Sequence, residues 1–172
     1  MPRALRNGLL AVCAAAGLGV SGCGYTTSNA ALPGHLKTVA VPTFENGTSE
    51  YTLEQDITQA VIDRLVQDNR LRIVDERSAN AVVRGRVIEY KNSVFGFSNS
   101  AQAQEYRVTI GVRITFKDQV KNRELWSDDL TKTANYYVQD VPGQTARTEL
   151  DGRKEAILKI AEEVLSRSVE GW

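Results

Sequence analysis

The residues with the clearest chemistry lie near the amino terminus, where Val20-Ser21-Gly22-Cys23 follows a short apolar run. An aliphatic residue and two small residues let an extended chain enter a signal peptidase, and the cysteine after them offers a nucleophilic thiol. This is the pattern of a bacterial lipobox, in which the thiol takes a diacylglyceryl group and the α-amine freed by cleavage is then acylated. The sequence therefore predicts that Cys23 is lipidated and anchors the chain, since two or more acyl chains hold a protein at a bilayer.

The segment before Cys23 has the organisation of a signal peptide. Arg3 and Arg6 form a positively charged start, and Leu9–Val20 is an apolar run rich in glycine and alanine. This run is too short to cross a membrane as a helix. The alternatives are a secretory signal without lipid and a buried amino-terminal helix, and the lack of an amphipathic pattern argues against the helix.

The composition of the remaining chain predicts a domain that needs neither disulfides nor metal. Removal of residues 1–22 leaves 150 of the 172 residues, and it takes two of the 21 basic side chains while all 21 acidic ones stay. The resulting net charge of −2 argues against a nucleic-acid partner. Cys23 would be the only cysteine and His35 is the only histidine, so we expect no metal or other cofactor. We divide the chain into a signal peptide at 1–22, a lipid-anchored tether at 23–36 and a single domain at 37–172.

Hydrophobic periodicity predicts two helices, at about 50–68 and 148–169, in which apolar residues recur every three or four positions. Asn69 is expected to cap the first helix. The second helix is expected to bury one face, formed by Leu150, Ile157, Ile160, Ala161 and Val164.

Alternating or continuous apolar runs predict five strands, with a turn at 44–48 around Asn46-Gly47. Gly85 lies inside one of these runs and indicates a bulge or close packing. The predicted fold class is α+β, with two helices packed on one face of a mixed four- to five-stranded sheet. The strands are expected at 37–41, 71–74, 81–94, 105–117 and 124–133.

The strand at 105–117 alternates strictly between apolar and other residues, which predicts one buried and one polar face. The polar face would carry Arg107, Arg113 and Lys117, with Arg84 and Arg86 on the neighbouring strand. This stripe is either a solvated face or a surface that meets phosphate-bearing lipid or a wet protein cavity. Arginine suits phosphate because its planar fork donates two hydrogen bonds at once.

Catalysis is not expected. The sequence has no glycine-rich phosphate loop, no Gly-x-Ser-x-Gly elbow and no metal-ligand cluster. The adjacent acid pairs Asp128-Asp129 and Glu162-Glu163 would point apart on a strand or a helix, which makes them solvated charges.

Several stretches, in their order and spacing, resemble the LptE family of lipopolysaccharide-assembly lipoproteins. The resemblance begins with Gly22-Cys23-Gly24-Tyr25, continues through Lys37–Pro42 and Phe44–Thr48, and covers essentially the whole mature chain. Ser93-Val94-Phe95 and the later Glu105–Ile110 are similar to the central hairpin of that family.

The resemblance implies an outer-membrane lipoprotein that faces the periplasm, plugs the LPS-translocating β-barrel (LptD-type), helps it assemble, and binds lipopolysaccharide. Gly24 agrees with outer-membrane sorting, because an Asp directly after the lipidated cysteine favours inner-membrane retention. Some family members place a basic residue directly after the hairpin phenylalanine, where this chain has Gly96. A second basic position, before the last helix, falls on Arg147. The alternative is a periplasmic lipoprotein that serves as a binding module in a secretion or Tol-like envelope complex.

Overall fold

The computed structural model describes residues 32–97, 103–140 and 142–169. Cys23, the predicted signal peptide and most of the predicted tether lie outside the described residues. The elements in chain order are β1 Thr38–Ala40, β2 Glu45–Asn46, α1 Leu53–Asp68, β3 Arg72–Ile73, a short 3-10 turn at Glu76–Ser78, β4 Ala81–Phe97, β5 Ala103–Asp118, β6 Arg123–Tyr137 and α2 Glu149–Val169.

The strands form one mixed sheet in the order β3-β1-β4-β5-β6, with β2 also pairing with β4. The short strands β1, β2 and β3 pair in parallel, whereas the long strands β4, β5 and β6 form an antiparallel meander. This confirms the predicted α+β class. A sixth strand, the two-residue β2, replaces part of the turn predicted at 44–48. It pairs with Arg86 and Val87 of β4, and the Gly47 N–H then donates to the Val87 carbonyl at 2.9 Å.

The core lies between the helices and one face of the sheet, as the alternation in β5 predicts. Every second residue of β5 from Val108 to Phe116 is fully buried. Helix α1 buries Leu53, Ile57, Val61 and Leu65 against this face, and Asn69 caps it in a left-handed conformation. The predicted burial therefore holds for the centre of the sheet and for the first helix.

The amino-terminal end of α2 departs from the predicted apolar face. Ile157, Ile160, Ala161 and Val164 are buried, but Leu150 is 51% exposed. The helix is rotated about its axis so that Gly152 packs on the sheet, where an added Cβ would lie 2.9 Å from the Tyr136 ring. Two residues on a helix are about 200° apart at 3.6 residues per turn, so Leu150 faces away when Gly152 faces the sheet.

Gly85 lies at a point of close packing. The sequence predicts either a bulge or close packing at this position. The Phe44 ring lies on it so closely that an added Cβ would be 2.3 Å from a ring carbon. The ring thereby fills the core over β4 and is itself buried. The bulge of β4 lies further along, at Ile88 between the paired residues Val87 and Glu89.

The two ends of the sheet differ. The distal end contains the last residues of β4, the first of β5 and the last of β6; the base is the opposite end, at Asp118. At the base, His35 Nε2 lies 2.7 Å from Asp118 Oδ2, so this residue of the predicted tether contacts the sheet. Leu36 is buried beside it, so residues assigned to the end of the tether lie against the domain. None of the helices in the described ranges is long and apolar enough to span a bilayer.

Candidate functional site

The three basic residues predicted on the polar face of β5 do share that face, but they do not converge. Arg107 lies near the distal end, Arg113 in the middle and Lys117 near the base. Ten residues of strand separate the first from the last, about 33 Å at about 3.3 Å per residue. A single phosphorylated group therefore cannot contact all three.

Arg113 is already neutralised by a carboxylate. It lies opposite Asp129 of β6, and its Nε and Nη2 donate to the two Asp129 oxygens at 2.7 and 2.8 Å. The bidentate hydrogen bonds and the guanidinium charge hold the pKa of Asp129 below its ordinary value. Arg113 is thus half of an exposed cross-strand ion pair, not a free cation.

Lys117 lies at the base, beside a small polar recess of about 170 Å³. Arg84 lines the same recess and forms an ion pair with Glu76. Arg86, the other β4 arginine, is 3.7 Å from a carboxylate oxygen of Glu45. Both β4 arginines predicted in the basic stripe are therefore paired with acids.

Arg107 has the most distinctive surroundings of the stripe. Its Nε donates to Asn135 Oδ1 at 2.8 Å, and the amide nitrogen of Asn135 donates to Glu105 at 2.8 Å. The guanidinium carbon lies 3.4 Å from the centroid of the Phe95 ring on β4, a cation–π contact. Arg107 is held in place by neutral and aromatic groups, and no carboxylate of the described residues forms an ion pair with it.

Arg147 lies just before α2 and is held by hydrogen bonds to β6 and to the helix. Its backbone N–H donates to the Tyr137 carbonyl at 2.7 Å, and its Nη1 donates to Glu155 at 2.7 Å. Directly behind it, the Thr148 N–H and hydroxyl both donate to Asp151 at 2.9 and 2.7 Å. These bonds lower the pKa of Asp151 and set the direction in which the helix begins.

The structure brings Arg107 and Arg147 together, although 40 positions separate them in the chain. They line one polar recess of about 430 Å³ at the edge of β6, with Lys159 as a third cation and Glu105 and Glu155 as carboxylates. Lys159 Nζ donates to Glu155 at 2.9 Å and to the Thr133 carbonyl at 2.9 Å. Its bond and that of Arg147 hold the pKa of Glu155 down. We call this group the distal recess; it carries a formal charge of +1 and several N–H donors.

Lys159 was missed by sequence reasoning. Its spacing of four residues from Glu155 indicates a helical ion pair, which is a common surface feature. Only the packing of α2 against β6 places its ammonium group in the recess.

Exposed apolar side chains lie at the same end of the sheet as the distal recess. Phe97 is 67% exposed, Phe95 50% and Val138 41%, all at the distal end. A cationic recess beside an apolar end suits a ligand with both acidic and apolar parts. Across residues 32–97, 103–140 and 142–169, no cluster of His, Cys, Asp and Glu side chains is arranged to hold a metal ion.

The fold and this site define a small α+β domain whose distal end is both cationic and apolar. The family model of LptE, described as lipopolysaccharide-assembly, matches residues 36–168. This range covers most of the chain and contains the sheet and almost all of both helices, and the chain belongs to that family.

Several solved structures are similar to this chain. Protein XCC0632 from Xanthomonas campestris aligns with a TM-score of 0.58 and 9% identity, over 77% of this chain and 83% of that one. The hypothetical protein CT253 from Chlamydia trachomatis aligns with a TM-score of 0.55 and 12% identity, over 76% and 94%. The rare lipoprotein B from Shewanella oneidensis aligns with a TM-score of 0.46 and 21% identity, over 74% and 91%. The comparison with curated proteins gave no match.

Proposed function

We propose that this chain is an outer-membrane lipoprotein, anchored through Cys23 and facing the periplasm. It assembles with the LPS-translocating β-barrel, plugs its lumen and takes part in lipopolysaccharide transport to the cell surface. The family match over residues 36–168 supports the transport role. The Val20-Ser21-Gly22-Cys23 pattern supports the anchor.

The distal recess is the proposed lipopolysaccharide site. Lipopolysaccharide carries phosphates beside acyl chains, and the recess places Arg107 and Arg147 beside the exposed apolar residues of the distal end. Arg107 also offers a cation where this chain has Gly96 instead of a basic residue. The residue directly after Phe95 is not basic, but Arg107 reaches the Phe95 ring from the next strand. This contact is the observation that carries the ligand assignment.

The polar sheet face is the proposed barrel contact. Across β5 and β6 it presents small hydroxyl residues in register, with Thr109 opposite Thr133 and Thr115 opposite Ser127. The Thr115 and Ser127 hydroxyls lie 3.0 Å apart. Arg113 and Lys117 stand on the same face, and Arg113 is neutralised by Asp129. A flat face of hydroxyls and paired charges suits the polar interior of a barrel.

Affinity purification of the tagged full chain from detergent-solubilised membranes tests the proposal. We expect an integral β-barrel of the lipopolysaccharide-transport type to co-purify, with lipopolysaccharide in the complex. A variant with Thr109→Glu and Ser127→Glu on the polar face should lose the barrel while it remains folded. Recovery of a secretion or Tol-type assembly without lipopolysaccharide would overturn the proposal.

A further inference from the structure

Strand β4 has a neighbour on only one side over its distal half. It pairs with β5 along its length, but β1 reaches only Ala81 and Val82, and β2 reaches only Arg86 and Val87. The ten residues from Ile88 to Phe97 therefore form an open edge within the described part of the chain. This open edge is long enough to take a further strand, since strands commonly have five or six residues.

The direction of the backbone shows which groups are free on the open edge. The Val87 carbonyl accepts the Gly47 N–H and so faces away from β5. The bulge at Ile88 adds one residue, after which the same outward orientation recurs at Tyr90, Asn92 and Val94. Among the described residues, no hydrogen bond is made to the outward backbone groups of these three.

The opposite edge of the sheet, β6, is partly covered by hydrogen bonds from neighbouring groups. Lys159 Nζ donates to the Thr133 carbonyl, the Arg147 N–H donates to the Tyr137 carbonyl, and an Asp128 oxygen accepts the Asp129 N–H at 2.8 Å. Proteins commonly block free edges in this way to prevent unwanted pairing. Among the described residues, the distal half of the β4 edge has no such cover.

The charges beside the open edge indicate what that partner carries. Glu50, Tyr90, Glu149 and Arg153 line a recess of about 380 Å³ beside β4. Arg153 is shared between Glu50 at 2.6 Å and Asp56 at 2.7 Å, so it does not neutralise Glu149. The Glu149 carboxylate accepts only the Tyr90 hydroxyl, at 2.5 Å, among the described residues. The recess is therefore net negative and can receive a basic side chain.

We propose that the open edge of β4, from Ile88 to Phe97, accepts an extended segment of a partner protein as an additional strand, with a lysine or arginine of that segment beside Glu149. Backbone hydrogen bonds to Tyr90, Asn92 and Val94 provide the pairing, and the recess selects the basic residue. Exposed Val94 and Phe97 favour apolar residues further along the segment. The recess beside Glu149 shares no lining residue with the distal recess, which lies at the edge of β6.

The test uses the full chain in detergent and a synthetic strand peptide, acetyl-Val-Thr-Val-Lys-Val-Thr-Val-amide. Hydrogen exchange at single-residue resolution should show slower exchange at Tyr90, Asn92 and Val94 when the peptide is added. Val94→Pro removes one outward N–H and should weaken peptide binding at least tenfold. The matched control is Thr131→Pro, which removes an outward N–H on β6 and should leave binding unchanged. Glu149→Gln should weaken binding about threefold or more.

Circular dichroism melts check that each variant folds, and the exchange measurement on the unchanged chain decides the question if a proline variant does not. Unchanged exchange at the three amides would overturn the proposal, as would equal losses from Val94→Pro and Thr131→Pro. Sedimentation at increasing protein concentration tests whether a second copy of this chain occupies the open edge. If the three amides become protected by dimerisation without peptide, the edge belongs to self-association and the partner assignment is wrong.

Discussion

The guanidinium of Arg107 lies over the ring of Phe95, with 3.4 Å between its central carbon and the ring centroid. The two residues belong to neighbouring strands, and the residue after Phe95 is Gly96. The cation beside this phenylalanine therefore comes from β5, across the hairpin. This relationship locates the cationic end of the protein at the distal end of the sheet.

Loss of the two distal arginines should reduce lipopolysaccharide binding. Arg107→Ala with Arg147→Ala removes two of the three cations of the distal recess, and we expect at least a tenfold loss of affinity. Arg113→Ala is the matched control, because it removes an arginine from the same face of β5 that does not line the distal recess. Binding of purified lipopolysaccharide in detergent, measured at low and high salt, checks this, since screening weakens exposed charges. Equal losses in both variants would show that binding depends on the overall positive charge of the protein and not on the distal recess.

Removal of the predicted lipidation site should leave the chain without an anchor. No other cysteine remains after residue 22, so Cys23→Ala should prevent lipidation entirely. Metabolic labelling with a tagged fatty acid, followed by membrane fractionation, measures this. A labelled Cys23→Ala protein would contradict the prediction.

A charge on the buried face of β5 should be far more damaging than one on its polar face. Ile110 is fully buried, and an unpaired carboxylate there costs several kcal/mol. The neighbouring Thr109 points to the other face, where water can solvate a carboxylate. We expect Ile110→Asp to unfold the domain and Thr109→Asp to lower its melting temperature only slightly. Similar thermal melts for the two variants would show that the burial assigned to β5 is wrong.

The contact between Gly85 and Phe44 should make β4 intolerant of a methyl group. Gly85→Ala places a Cβ 2.3 Å from a ring carbon, and such overpacking costs about 1–3 kcal/mol. Phe44→Leu in the same chain should recover part of the loss by vacating that space. Gly34→Ala is the control, because nothing lies within 4 Å of its added Cβ. Chemical denaturation measures the unchanged chain, the Gly85→Ala and Phe44→Leu single variants, their double variant and the control, and an additive double variant would exclude a direct clash.

The Arg113–Asp129 pair should give a defined pH dependence. Arg113 holds the pKa of Asp129 below its ordinary value, so the pair stabilises the fold above the ordinary aspartate pKa. That contribution is lost as the pH falls through the lowered pKa of the folded state. Arg113→Gln should therefore raise the pKa of Asp129, and its melting temperature should converge with that of the unchanged chain in acid. NMR titration of the Asp129 carboxyl measures the shift directly, and an unchanged pKa would contradict it.

The sequence alone determined the elements whose signals are local. The alternation of β5 identifies its buried face because successive side chains of a strand point to opposite sides, and burial follows from that parity. The first helix and its Asn69 cap follow in the same way from three- and four-residue spacing and from the left-handed conformation that asparagine tolerates. The class of fold and the family resemblance depend on the order of these local signals.

Only the tertiary structure decided which polar groups meet. Arg107, Arg113 and Lys117 look alike in the sequence, but Asp129 neutralises Arg113, the Phe95 ring holds Arg107, and Lys117 stands at the other end of the strand. Lys159 reaches the distal recess, Leu150 is turned to solvent by the packing of Gly152, and His35 meets Asp118. The face of a strand is set by its own periodicity, whereas the charge of a site depends on cross-strand register and helix rotation. Those come from long-range packing, which no local spacing encodes.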